Sequence, residues 1–122
     1  MTASNYAELK ILDHMLGTTA WTMPTQLYIK LHLGDPGEDC TNNAAAETTR
    51  KAIDWSSASS GTAQISSTVI WTGLSATETA THFSLWDASS GGNAIAYGAF
   101  GSSTSLTSGA NLDVTSCSVT IN

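Results

Sequence analysis

Positive charge is what this chain has least of. Lys10, Lys30, Arg50 and Lys51 are its only cations besides the terminus, and ten Asp and Glu residues leave a formal net charge of −6. Four scattered cations do not neutralise a run of phosphates, so no nucleic acid and no membrane surface is expected as a partner. Charge of either sign is sparse, at 11% of residues, and no apolar run approaches membrane-spanning length. Met1 to Ser4 has neither the basic start nor the apolar stretch of a secretory leader, which points to a protein made in the cytosol or released by lysis. Cysteine is nearly absent as well. Cys40 and Cys117 lie far apart in the chain, and in a reducing compartment they are expected to be unpaired.

Reaction chemistry is missing in the same way. No Gly-x-Ser-x-Gly elbow holds a serine at a strained turn, and Cys40 has no histidine at a telling distance. His14, His32 and His82 lack the spacing of a zinc site, which makes solvent-facing or hydrogen-bonded imidazoles the expectation. Asp35, Glu38, Asp39 and the Asn42-Asn43 pair carry oxygens, but their order matches no calcium-binding loop. The expectation is a non-enzymatic protein with no catalytic residues, no cofactor and no metal.

What the chain does have is hydroxyl groups and alternation. Ser and Thr make up about 30% of residues, well above ordinary usage. Leu27-Tyr28-Ile29-Lys30-Leu31-His32-Leu33 sends its leucines and isoleucine to one face and Tyr28, Lys30 and His32 to the other, as a half-buried strand does. Gly34-Asp35-Pro36-Gly37 then closes a turn, and Glu38 to Thr48 reads as a long polar loop.

Further strands are predicted at 49–55, 63–65, 68–72, 81–86, 93–100 and 112–121. The segments 73–80 and 101–105 read as a loop and a turn. In the last strand the alternation changes phase, which a bulge near Ser116 would repair. Asp87 to Gly92 has the composition of a hairpin loop, and Gly98 marks a bulge or a close backbone approach. Ahead of all this, Asn5 to Leu16 reads as a helix capped by Ser4 or Asn5, stopped by Gly17 and striped by Leu9, Leu12 and Leu16, with Ile11 and Met15 alongside. Such a stripe covers the domain's own open end or docks on a neighbour. The predicted fold class is mainly β: an antiparallel β-sandwich of about seven to eight short strands with one N-terminal α-helix (about 5–16), in a single domain spanning 1–122.

The run Asn5 to His14, the Leu27 to Gly37 stretch, and Thr81 to Ala88 with Gly91-Gly92-Asn93 and Tyr97-Gly98-Ala99 resemble a family of small virion proteins encoded by tailed bacteriophages. Members are described as tail fibre, minor tail or decoration proteins. The loop from Glu38 to Arg50 departs from the pattern: it is Ala-rich where relatives often carry a Gly-Gly-Ser/Tyr approach.

The resemblance implies a structural virion component assembled in the bacterial host cytoplasm. The first expectation is a capsid decoration or cement protein that stabilises the shell through self-association, a trimer being favoured, and through contacts with the major capsid protein or with tail proteins. The alternative is a minor tail or tail-fibre protein that binds host surface glycan through exposed aromatics. Trp55 and Trp71 read as core, Trp86 as core or interface, and Arg50-Lys51 as a solvated or interface pair. The candidate interface residues are Tyr6, Leu9, Leu12, Trp21 and Trp86.

Overall fold

The alternating stretch at Leu27 forms an inner strand of the largest sheet. In the computed structural model, which describes residues 1–120, the order is β1 (Thr2–Ala3), α1 (Asn5–Met15), β2 (Leu27–His32), β3 (Lys51–Ile53), β4 (Thr62–Gln64), β5 (Val69–Trp71), β6 (Glu78–Trp86), β7 (Ala94–Leu106), β8 (Leu112–Val114) and β9 (Ser118–Thr120). Strands β1-β7-β6-β2-β3 make one sheet, and the pairs β4–β9 and β5–β8 make two small ones. All pairings between strands are antiparallel. The architecture is the expected sandwich, with nine described strands in place of seven to eight. Among the described residues no helix is long and apolar enough to cross a membrane.

The core follows from the alternation. Ile29 and Leu31 of β2, Ile53 of β3, and Phe83 and Leu85 of β6 turn inward and meet Val69, Trp71 and Val114 of the β5–β8 pair. Each such side chain contributes roughly 1.5–3 kcal/mol by leaving water. Trp71 is fully buried, and its indole N–H donates to the Thr49 carbonyl at 2.9 Å, so its one polar atom is satisfied. Trp55 is half-buried against the same cluster, with an indole nitrogen that is enclosed but has no partner.

Several boundaries differ from those the sequence suggested. Leu33 is 41% exposed, because β2 ends at His32 and the chain there is already bonded to the returning loop through Leu33 N–H and the Asn43 carbonyl. His32, expected on an open face, is fully buried for the same reason: the loop 34–50 folds back over that face. Residues 78–80, read as loop, belong to β6, and the turn expected at 101–105 lies inside β7. There the register steps from Ala80↔Thr104 to His82↔Ala99, so four residues of β7 stand opposite Thr81 alone. The Gly/Ser composition makes a large irregular bulge rather than a chain reversal.

Ile95 is likewise an extra residue opposite the Leu85–Trp86 step, so Ile95 packs on the main core while Tyr97 packs on the other side. The predicted last strand is two strands: β8 pairs with β5 and β9 with β4, and the phase change marks a passage between sheets instead of a bulge. Its final residue, Ile121, lies outside the described residues. Gly98 is a close approach, since a Cβ there would stand 3.3 Å from Met1 Cα and 3.4 Å from the Phe83 ring.

The helix starts as expected. Ser4 is the N-cap, its hydroxyl accepting from Ala7 N–H at 3.1 Å, and Gly17 follows the end with φ +74°. Ser4 N–H bonds the Ile95 carbonyl and Asn5 N–H the Glu38 carbonyl, which pins the helix by its first turn. The rest stands clear of the domain: Ala7 is its one buried residue, and Leu9, Leu12 and Leu16 are 66%, 54% and 74% exposed. The helix therefore does not plug its own sandwich.

Candidate functional site

The outer face of the large sheet is built by the even-numbered residues of β2 and β6. Antiparallel register sets Tyr28 beside Trp86, Lys30 beside Ser84, and His32 beside His82, with Tyr97 of β7 next to Ser84. On the other flank Ile29 pairs with Lys51, so one step further on Arg50 comes opposite Lys30. The face thus carries Arg50, Lys30, Ser84 and Tyr97 in one row.

A row of polar contacts runs along this face and fixes it. His32 Nδ1–H donates to the Asn42 carbonyl at 2.8 Å, and a carbonyl accepts only, which sets the tautomer. Nε2 is then the acceptor for the Ser84 hydroxyl at 2.7 Å, and Ser84 Oγ in turn accepts the Trp86 indole N–H at 2.8 Å. Every donor in this row has one acceptor. Burial pushes the His32 imidazole below its ordinary pKa, with the Asn42 carbonyl opposing and the Lys30 and His82 charges assisting, so the neutral ring that the row requires is the favoured one.

Trp86, 9% exposed, packs on Cys40 and Ala94, with Tyr97 alongside. The Arg50 guanidinium lies over its ring at 3.8 Å, and Lys30 Nζ is 6.0 Å from the same centroid. Arg50 Nη1 donates to the carbonyls of Ala88 and Gly91 at 2.9 and 2.7 Å, which ties it to the 87–93 hairpin loop. That loop is itself closed by Asp87, whose two carboxylate oxygens accept from Asn93 N–H and Nδ2. Burial first, and then the charge of Arg50, holds Lys30 below the usual lysine pKa. Burial lowers Arg50 as well, partly offset by Asp87.

The sequence-derived candidates fall into two places. Tyr6, Leu9, Leu12 and Trp21 gather on α1 and the connector after it: the rings of Tyr6 and Trp21 meet edge-on at 6.5 Å, Lys10 Nζ lies 5.7 Å from the Tyr6 centroid, and Trp21 N–H donates to His14 Nδ1. Trp86 belongs instead to the sheet face. The four tryptophans form no shared exposed platform, since Trp71 is core and Trp86 is covered.

His32 and His82 are cross-strand neighbours, yet among the described residues no three His, Cys, Asp or Glu side chains are grouped so as to hold a metal. The loop oxygens are engaged locally: Asp35 Oδ1 accepts from Gly37 N–H and Asp39 Oδ1 from Asn5 Nδ2. Cys40 and Cys117 are both unpaired. Arg50 and Lys51 do not act as a pair, because strand alternation sends them to opposite faces; Arg50 has Lys30 for a neighbour. That juxtaposition spans twenty residues and depends on the register of β2 with β3, which no local pattern reveals.

The model of the family described as Podophage GP4 fiber I protein gp80 matches residues 2–122. The chain belongs to this family. A search of curated proteins finds no match. Membership in the podophage fibre I family makes the protein a structural component of a bacteriophage virion, and the fibre reading fits it better than the capsid decoration reading does. The helix, the sheet face and the hairpin loop described above all lie within the matched span.

Proposed function

We propose that this chain is a non-enzymatic building block of a podophage tail fibre, and that α1 is the element by which it joins its neighbours. The observation that supports this reading is the bare apolar stripe. Leu9, Leu12, Met15 and Leu16 lie on a helix pinned only by its first turn, all more than half exposed, with Met23 of the connector 82% exposed nearby in the chain. Burying side chains of this kind yields roughly 1.5–3 kcal/mol each, and contiguous exposed apolar surface of this sort marks an interaction site. Copies of the same chain, arranged as a closed ring of three, or other tail proteins are the partners that would cover it.

The test is Leu9→Ser with Leu12→Ser. The isolated chain keeps its fold, losing no more than about 1 kcal/mol through lower helix propensity, while self-association measured by light scattering and incorporation into particles measured by quantitative mass spectrometry are both lost. Unfolding of the double variant, or unchanged assembly and incorporation, refutes the assignment. Wild-type copy number separates the locations: a small minority relative to the shell subunit is the fibre result, and near-parity is the decoration result.

A further inference from the structure

The acidic chain places two of its four cations side by side. Lys30 of β2 and Arg50, the residue just ahead of β3, lie side by side over the Trp86 ring, and like charges brought together on a sheet destabilise it. Neither cation is in a salt bridge among the described residues; Asp87, whose carboxylate accepts from Asn93, lends Arg50 a partial counter-charge, and no carboxylate is among the charges that act on Lys30. Two cations held side by side with only one partial counter-charge form an arrangement that an anion completes.

The geometry also holds the pair still. Arg50 is stacked on Trp86 and bonded through Nη1 to two carbonyls, and Trp86 is held in turn by its hydrogen bond to Ser84, which His32 anchors. The half-exposed ring of Tyr28 lies beside Trp86 on the same face, while Tyr97 stands one strand further on, past Ser84. A protein interface of useful strength has an apolar core. This face has none: the exposed large apolar side chains are Met1, Leu9, Leu12, Met15, Leu16, Met23, Leu33 and Ile70, and the register puts none of them there. Fixed cations beside the Trp86 and Tyr28 rings suit a polar ring bearing an oxyanion.

We infer that the Lys30–Arg50 shelf over Trp86 is a binding site for an oxyanion-bearing saccharide, the charged group being held by the ammonium and the guanidinium. This deepens the fibre reading, on which its biological target rests, but the binding chemistry is tested on the isolated chain. The probes are trigalacturonate, glucose 6-phosphate, uncharged galactotriose and a triglutamate peptide, followed by calorimetry and by amide chemical shifts at low salt.

The expected result is binding of trigalacturonate, glucose 6-phosphate or both, with shifts centred on residues 28–30, 50 and 86–92. Affinity falls about tenfold in Lys30→Gln and falls again as salt rises. A carboxylate-only response assigns the anion to a uronate and a phosphate response assigns it to a phosphorylated sugar; either supports the site. Lys30→Gln leaves stability unchanged or raised, since it removes the like-charge contact, so lost binding there is not lost folding. Arg50→Lys keeps the charge but loses the planar fork, and weaker binding is expected. Equal binding of galactotriose, binding of triglutamate alone, shifts confined to another face, or no binding overturns the inference. Particle incorporation of Lys30→Gln is expected to be normal; failure of the binding test therefore leaves the docking role of α1 standing.

Discussion

Ser84→Ala is the substitution with the most informative consequences. The Ser84 hydroxyl accepts from the Trp86 indole and donates to His32 Nε2, and all three groups are out of water. Removing one oxygen strands a buried donor and a buried acceptor together. Each unsatisfied group costs about 1–3 kcal/mol, so the variant should lose about 2–6 kcal/mol, a large share of the ~5–15 kcal/mol that holds a domain. In urea unfolding followed by tryptophan fluorescence this appears as a fall of about 1 M or more in the midpoint with the slope unchanged. The double variant Ser84→Ala, His32→Leu should lose much less than the sum of the singles, because the acceptor left stranded by the first change is gone. A midpoint shift below about 0.3 M for Ser84→Ala, or strict additivity in the pair, would refute the row of contacts as drawn.

The same row carries a pH dependence. Burial lowers the His32 pKa in the folded chain, so between that value and the ordinary ~6.5 of an unfolded histidine the unfolded chain binds more protons. Stability is then fully present above about pH 6.5 and declines as the pH falls below it, by at most about 1.4 kcal/mol per unit for one proton. His32→Gln should flatten that limb; an unchanged slope would mean another group is responsible.

Glu47 acts in a lower window. Burial raises its carboxyl pKa, but hydrogen bonds from Thr49 and Ser75 outweigh this and leave it below the usual glutamate value, so its contribution is present above about pH 4.5 and is lost as the pH falls through the depressed pKa. Glu47→Gln should remove that second acid limb in a stability-against-pH series while leaving the limb near pH 6 intact. The two thiols should differ under alkylation at pH 8. Cys40 is fully buried, with burial and the neighbouring Asp39 pushing its pKa up to about 11, whereas Cys117 is half-buried beside a surface groove; Cys117 labels first and Cys40 only on unfolding, and equal rates would contradict the packing under Trp86.

The local pattern and the tertiary structure divide this protein cleanly. The period-two run at Leu27, the Asp35-Pro36-Gly37 turn, the Ser4 cap with Gly17 as stop, and the Asp87 to Asn93 hairpin were all readable, because each depends on groups within a few residues of one another. The apolar stripe of α1 was readable too, but whether its own domain covers it was decided by where the first turn is tied, at Ile95 and Glu38. The large irregular bulge in β7, the splitting of 112–120 between two sheets, the burial of His32 and the meeting of Lys30 with Arg50 all depend on which strand pairs with which, and in what register. Side-chain period says which way a residue points relative to its own strand. Only the pairing of distant strands says what it meets there, and both the anion shelf and the buried row of contacts that holds its Trp86 are products of that pairing.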